Sequence, residues 1–204
     1  MLRYGALLFV SAFLLAQTST PPPQNASTSP VYTADGRLVF PTNYREWIYL
    51  TTGMDMDYNP DPSMAGHSML DNVFVNPESY KAFVATGTWP DKTMLVLEGR
   101  MATSKGSINK AGHYQSNKVM ARSVHVKDAR LAGGWAFFFA DDDGKPSKQI
   151  PTTAVCYSCH QQHAAVDTTF VQFYPTLLEI AKQKGTLSKN YLKEEASAGS
   201  SPQK

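Results

Sequence analysis

The chain has 204 residues, of which 42% are hydrophobic and 18% are charged, and its formal net charge is +2. This length suffices for one domain with a substantial core but is short for two. The near-neutral charge, without a long basic run, argues against a protein that binds nucleic acid.

The first residues have the pattern of an export signal. Arg3 precedes a compact apolar run from residue 5 to residue 16, which is too short to span a bilayer. We interpret residues 1–16 as a signal peptide that is cleaved after Ala16, and an uncleaved N-terminal anchor is the alternative. The protein is therefore predicted to be periplasmic or secreted.

Low-complexity segments flank the predicted domain. Residues 17–31 form a linker rich in Pro, Ser and Thr that has almost nothing to bury. Residues 186–204 are polar and rich in small residues, so we expect a disordered tail. The folded domain is predicted to span residues 32–185.

Two short helices are predicted in the first half of this domain. A capping-box pattern opens the first helix, over residues 43–53. Asn76 followed by Pro77 is a typical start for the second helix, which Gly87 ends. Its buried stripe is predicted to consist of Tyr80, Phe83 and Val84.

Strand patterns surround and follow the second helix. Residues 71–76 are short and β-rich, residues 93–99 are apolar on both faces, as in a central strand, and residues 118–127 form a long strand of mixed polarity. Residues 135–140 contain four aromatic side chains. These aromatics are most simply explained as core, and the alternative is that some of them line a flat apolar cofactor.

Helical signals return towards the C-terminus. Pro151 opens a segment that carries both cysteines, Asp167 is positioned to cap a further helix, and Pro175 is expected to kink or restart it. The order of elements predicts an α+β fold. It consists of an antiparallel β-sheet core, short helices and a C-terminal helical segment that contains the cysteines.

The two cysteines belong to a motif with a specific chemistry. Cys156, Cys159 and His160 form CxxCH, the attachment pattern of c-type haem. Each thiol adds to one vinyl group of the porphyrin, and the histidine lies over the iron once the segment is helical. We therefore predict one covalent haem c, with Cys156 and Cys159 as its thioether links and His160 as the proximal iron ligand.

Three other uses of a closely spaced cysteine pair compete with haem attachment. A thioredoxin-type redox motif usually lies in a βαβ unit, which this sequence does not show. A structural disulfide is compatible with an exported protein. A closed zinc site needs four ligands, more than the motif supplies.

The ligand on the other face of the iron is undecided by the sequence. His163 shares a helix face with His160, which excludes it as the opposite ligand, and the lone histidines are His67, His113 and His125. A methionine ligand would suit electron transfer, and four methionines lie in one loop-like region: Met54, Met56, Met64 and Met69. Candidate partners for the haem propionates are Arg45, Arg100 and Arg122.

Several segments together resemble a known family. They cover residues 43–53, 71–98, 124–128, 133–138 and 156–178, and the most specific are NPESY at residues 76–80 and FxxFYPxL at residues 170–177. The chain resembles the cytochrome P-460 family, which includes the cytochrome c-prime-beta proteins. The resemblance implies a mostly antiparallel β fold, usually a homodimer, with one covalent haem whose proximal ligand is His160.

The resemblance also concerns catalysis. Family members that oxidise hydroxylamine or nitric oxide carry a lysine crosslinked to the haem, and the corresponding position here is Leu97. No lysine lies between Thr93 and Gly99. Because leucine cannot form this bond, the resemblance places the chain nearer to the uncrosslinked, gas-binding members.

Three functions remain open. The first is a haem enzyme that converts a small nitrogen compound, with Glu98 as a candidate proton relay, although a carboxylate paired with arginine or facing solvent is the simpler role. The second is a non-catalytic binder of nitric oxide, with a pocket capped by Phe74 or by residues 137–139. The third is an electron carrier with a methionine ligand, which would serve a redox partner cytochrome.

Overall fold

The computed structural model describes residues 27–56, 68–140 and 145–199. The predicted signal peptide, most of the predicted linker, Met64 and His67 lie outside these ranges. The strands and helices are, in chain order, β1 Val31–Tyr32, β2 Leu38–Val39, β3 Ile48–Met54, β4 Met69–Val75, α1 Pro77–Thr86, β5 Met94–Thr103, β6 Tyr114–Lys127, β7 Trp135–Phe139, α2 Val155–His163, α3 Pro175–Lys184 and α4 Lys189–Gly199.

Five strands form one antiparallel sheet in the order β3-β4-β5-β6-β7, so that each strand pairs with its neighbour in the sequence. The short strands β1 and β2 pair separately. The central strand is β5, as predicted from a segment that is apolar on both faces. The predicted α+β class with an antiparallel sheet is confirmed.

The sheet separates two apolar clusters. One cluster contains Val75, Leu95 and Trp135, together with residues of α1, α3 and α4. The other contains Val96 and Phe138, together with residues before β3. Because successive residues of a strand point to opposite faces, Leu95 and Val96 serve different clusters. We call these the helix-side cluster and the hairpin-side cluster.

The prediction of a first helix over residues 43–53 is wrong. Tyr44–Glu46 form only a 3₁₀ turn, and Ile48–Met54 form the edge strand β3. The capping-box pattern is a local preference, whereas pairing of this segment with β4 satisfies a whole ladder of backbone groups. The spacing of the apolar residues Tyr44 and Trp47, which resembled one face of a helix, arises because both side chains pack into the hairpin-side cluster.

The second predicted helix is confirmed as α1. Gly87 ends it with φ 77° and donates its backbone N–H to the carbonyl of Phe83. A side chain at Gly87 would also approach Lys184 Cβ to 2.7 Å, so that both backbone conformation and space require glycine. Of the predicted stripe, Phe83 is buried and Tyr80 half-buried, but Val84 is 41% exposed.

The predicted helical segment near the C-terminus is present. The two cysteines and His160 lie on α2, and Pro175 occupies the first turn of α3, where it restarts the helical path. Asp167 does not cap a helix, because its φ is 52° and the next turn begins at Val171.

The prediction of a disordered tail is wrong for residues 189–199, which form α4. Tyr191 is only 6% exposed and belongs to the helix-side cluster, against which Leu187 also packs. These two apolar side chains anchor a segment whose average composition is polar. None of the helices in the described ranges is long and apolar enough to cross a membrane.

Candidate functional site

A cavity opens between the helix-side face of the sheet and the segment that follows α2. The cavity has a volume of about 190 Å³ and is partly open to solvent. The sheet contributes Val73, Leu97 and Ser123, and the facing wall includes Phe170 and Phe173. The cavity is therefore largely apolar, with a few polar groups placed around it.

His160 lines this cavity from α2. Its Nδ1 lies 2.7 Å from the carbonyl oxygen of Thr168. Since a carbonyl only accepts, Nδ1 carries the proton, and Nε2 keeps its lone pair in the neutral ring. The ring stacks on Phe170, with centroids 4.1 Å apart. Burial lowers the pKa of His160 and so favours the neutral form that binds a metal.

The two cysteines lie one turn apart on the same helix as His160. Both thiols are free and half-buried. Neither cysteine lines the cavity itself. The structure thus brings the predicted iron ligand into the cavity and keeps the two thiols on the helix that presents it.

Tyr157, between the cysteines, fastens α2 to the sheet. Its hydroxyl donates to the carbonyl of Ile150 at 3.0 Å and accepts from the backbone N–H of Phe137 at 3.2 Å. The CxxCH motif leaves this position unspecified, so the sequence carries no signal of its role. Tyr157 positions the motif helix against β7.

His125, on β6, is also part of the cavity wall. It is 7% exposed, stacks on Phe137 at 3.9 Å between centroids, and lies 5.2 Å from the ring of His160. Burial, followed by the neighbouring His160, moves the pKa of His125 well below its usual range. Its Nε2 lies 3.2 Å from the hydroxyl of Thr168. One residue, Thr168, therefore contacts both histidines.

Leu97 lies in the middle of the cavity floor. It is paired with Val73 on β4 and with Ser123 on β6, and all three residues line the cavity. The position that the family resemblance assigns to the crosslinking lysine is therefore at the site. Its side chain here is aliphatic and supplies apolar surface.

Glu98 lies on the opposite face of the sheet and does not reach the cavity. It is 2% exposed and accepts hydrogen bonds from Tyr44, Arg45 and Arg100. Although burial opposes ionisation, these bonds hold the pKa of Glu98 below its usual value. The candidate role as proton relay is therefore not supported, and Glu98 is a structural carboxylate paired with arginine.

The three arginines considered for the propionates share that opposite face. Arg45 and Arg100 are paired with Glu98, and Arg122 lies over the ring of Phe40 at 5.0 Å. None of the three lines the cavity. Adjacent residues of a strand point in opposite directions, which places Arg100 and Arg122 away from His160, and Arg45 reaches the same face from the 3₁₀ turn before β3.

Asp71 is a cavity residue that the sequence does not distinguish from other carboxylates. It lies on β4, where it pairs with Gly53 of β3 and Gly99 of β5. Burial, and to a smaller extent the charge of Asp55, raise the pKa of Asp71. The cavity thus contains a carboxyl group at a position that the CxxCH motif does not predict.

Among the methionines considered as iron ligands, Met56 lines the cavity. Its Sδ packs over Gly53, where a Cβ atom would approach it to 2.6 Å. Met54 is 48% exposed on β3, and the side chain of Met69 packs against Gly99. Met56 is therefore the methionine of the described residues that the structure brings to the site.

The aromatic side chains divide between the faces. Phe137 lines the cavity, whereas Phe74 and Phe138 pack in the hairpin-side cluster, and Phe139 is 61% exposed. Of the aromatic residues considered for an apolar cap, Phe137 therefore lies at the cavity and Phe74 does not. Of the other histidines, His113 is exposed, and His163 Nδ1 lies 2.5 Å from a carboxylate oxygen of Glu194 on α4.

The donor set fits a haem. A neutral histidine presents Nε2 in an apolar cavity, and two free thiols lie on the same helix. Within the described ranges, no group of three or more His, Cys, Asp or Glu side chains is arranged to hold a metal ion by itself.

Comparison with known proteins agrees with this fit. The family model described as Cytochrome P460 matches residues 41–171, which is more than half of the chain. The match extends over strands β3 to β7 and over α2, and so includes the cavity floor and His160. No curated protein in the comparison matches the chain. The chain belongs to the cytochrome P460 family and is a haem-binding cytochrome.

Proposed function

We propose that this cytochrome carries one haem, attached through Cys156 and Cys159 and ligated by His160, and that it binds a small nitrogen compound such as nitric oxide. The observation that carries the proposal is the neutral His160, whose Nε2 is unprotonated in an apolar cavity. When bound, the haem would supply an iron centre that can bind a small ligand.

The residues around His160 support its role as a ligand. The carbonyl of Thr168 fixes the ring through Nδ1–H and makes Nε2 a stronger electron donor. Phe170 restrains the ring plane by stacking. Tyr157 restrains the helix that carries the histidine and the two thiols.

The cavity wall supports an uncharged ligand. Val73, Leu97 and Phe137 offer no hydrogen-bond partner, so an ion that entered beside them would lose its hydration without compensation. Leu97 has no amine for the crosslink of the hydroxylamine-oxidising relatives. We therefore propose ligand binding in preference to oxidation that depends on that crosslink.

A second candidate function is electron transfer. The observation that favours it is Met56, whose thioether lies in the cavity. A methionine bound to the haem iron would raise the reduction potential and would suit an electron carrier. In that case the protein would work with a redox partner cytochrome.

Optical spectra of the full chain, produced with a c-type haem maturation system, separate these functions. We expect a five-coordinate ferrous spectrum that changes when nitric oxide is added without oxygen. The control Met56→Leu conserves volume but removes the thioether, and it should leave the ferrous spectrum unchanged. A six-coordinate ferrous spectrum that becomes five-coordinate in this variant would favour electron transfer, and a spectrum that is unmoved by nitric oxide would contradict ligand binding.

Export and assembly belong to the same proposal. The charged and apolar pattern of residues 1–16 supports export with removal of this segment. The family resemblance supports a homodimer. N-terminal sequencing of protein from the periplasm should begin at Gln17, and sedimentation equilibrium should give twice the mass of the processed chain.

A further inference from the structure

Asp71 lies in a gap of the cavity floor that is made by glycine. Its two neighbours across the sheet, Gly53 and Gly99, have no side chains. A Cβ atom at Gly99 would come within 3.0 Å of Asp71 Oδ1, so that even alanine would crowd the carboxyl group. Gly99 therefore leaves the carboxyl group room beside the cavity, whereas the space over Gly53 holds the side chain of Met56.

The strand register places this carboxyl group at the far end of the cavity from the histidines. His125, which contacts His160, pairs with Leu95, whereas Asp71 pairs with Gly99. Leu95 and Gly99 are separated by four steps along β5, which corresponds to about 13 Å. Leu97 lies midway between them.

The surroundings of Asp71 differ from those of the other carboxylates near it. Glu98 is paired with Arg45 and Arg100. Asp55 accepts hydrogen bonds from the hydroxyl of Ser68 and the backbone N–H of Met69. The ionisation of Asp71 is influenced by burial and by the charge of Asp55, and both disfavour its charged form.

We propose that the Asp71 carboxyl group contacts the bound ligand and hydrogen-bonds a small molecule that bears N–H or O–H groups. This inference rests on the proposed function, since it concerns a ligand in the cavity that His160 lines. A carboxyl group can accept from such a hydrogen when ionised and can also donate when protonated. Nitric oxide has no hydrogen to offer, so the cavity should favour protic ligands such as hydroxylamine over their aprotic analogues.

Ligand affinities of the complete haem-loaded protein test this inference. Dissociation constants for hydroxylamine and nitric oxide are measured by rapid-mixing absorbance without oxygen, before any turnover. Asp71→Val removes the hydrogen-bonding group and retains a strand-forming side chain. We expect its dissociation constant for hydroxylamine to rise roughly 10-fold or more, because a hydrogen bond to a charged group is lost. The constant for nitric oxide should change less than about twofold.

Two further variants complete the test. Asp71→Asn keeps an acceptor and the volume, so it should give an intermediate loss and should fold even where valine is poorly accommodated. Asp35→Asn is the matched control, because it makes the same chemical change at another aspartate. Asp35 lies in an exposed turn, where it accepts a hydrogen bond from Arg37, and it does not line the cavity. This variant should leave both affinities unchanged.

The outcomes distinguish this inference from the proposed function. Unchanged hydroxylamine affinity in both Asp71 variants, or an equal loss for hydroxylamine and nitric oxide, overturns the role of Asp71 and leaves the cytochrome a ligand binder. If the unaltered protein binds neither ligand, the proposed function fails together with the inference.

Discussion

His160 and Tyr157 show how single side chains prepare the site. The carbonyl of Thr168 holds the proton of His160 on Nδ1, and the hydroxyl of Tyr157 ties the same helix to β7. The CxxCH pattern predicted the identity of the ligand, but it did not predict these supports. Both supports are hydrogen bonds to backbone groups, which have no signature in residue types.

The hydroxyl of Tyr157 should contribute measurable stability. In Tyr157→Phe, the backbone N–H of Phe137 and the carbonyl of Ile150 lose their partner. We expect the free energy of unfolding to fall by about 1–2 kcal/mol. Tyr49→Phe, at an exposed position, is the control and should stay within about 0.5 kcal/mol of the unaltered chain. Denaturant titration of the haem-free protein measures both, and equal values would show that the Tyr157 contacts are not stabilising.

The raised pKa of Asp71 leads to a prediction about how the stability of the fold depends on pH. Its pKa is raised in the folded state, mainly by burial, so the fold binds the proton more tightly than the unfolded chain does. Ionisation therefore destabilises the fold progressively as pH rises above the ordinary value of 3.8. Asp71→Asn should raise the melting temperature at neutral pH, and this gain should disappear below that value.

The exposed Asp35 is the control, because its pKa is shifted in the opposite direction to that of Asp71. A hydrogen bond from Thr33, together with Arg37, lowers the pKa of Asp35. Asp35→Asn should therefore not stabilise the chain at neutral pH. Calorimetric scans across pH measure both variants, and a gain of the same size in each would remove the argument for a special environment at Asp71.

At the level of strands and helices, sequence patterns succeeded where one signal dominated. The apolar segment at β5 indicated a strand that is buried on both faces. The Asn-Pro pair at the start of α1 indicated a helix N-terminus. The segment at residues 43–53 carried a local capping pattern that strand pairing overrode. Leu97 and Glu98 were both considered for the site, yet strand alternation allows only one of two adjacent residues to face it.

The helix α4 shows that a few anchoring residues can order a polar segment. Tyr191 is buried in the helix-side cluster, whereas its neighbour Leu192 is 50% exposed. We expect Tyr191→Ala to lower the free energy of unfolding by about 3 kcal/mol, because a large buried side chain leaves a cavity. Leu192→Ala is the matched control on the same helix and should cost less than about 1 kcal/mol. Urea titration with circular dichroism measures the difference, and equal effects would mean that α4 is not anchored by Tyr191.

For the whole molecule, the sheet divides two kinds of chemistry. Its helix-side face carries His125 and Asp71, and His160 of α2 lines the same largely apolar cavity. Its hairpin-side face holds the ionised Glu98 between Arg45 and Arg100. The arginine-paired carboxylate is thereby kept on the far side of the sheet, and Asp71 provides the carboxyl group among the cavity residues. The fold class and the motif helix were predictable from the sequence, but this division depends on strand register and was not.

The covalent haem on Cys156 and Cys159 is tested most directly by the mass of the denatured protein. The full chain should be produced with a c-type haem maturation system, unfolded in acid and measured by mass spectrometry. We predict that the chain carries the added mass of one haem, which peptide fragmentation locates on Cys156 and Cys159 and which the double variant Cys156→Ser, Cys159→Ser lacks. A denatured chain without added haem, or with the haem on other residues, would contradict the proposed attachment.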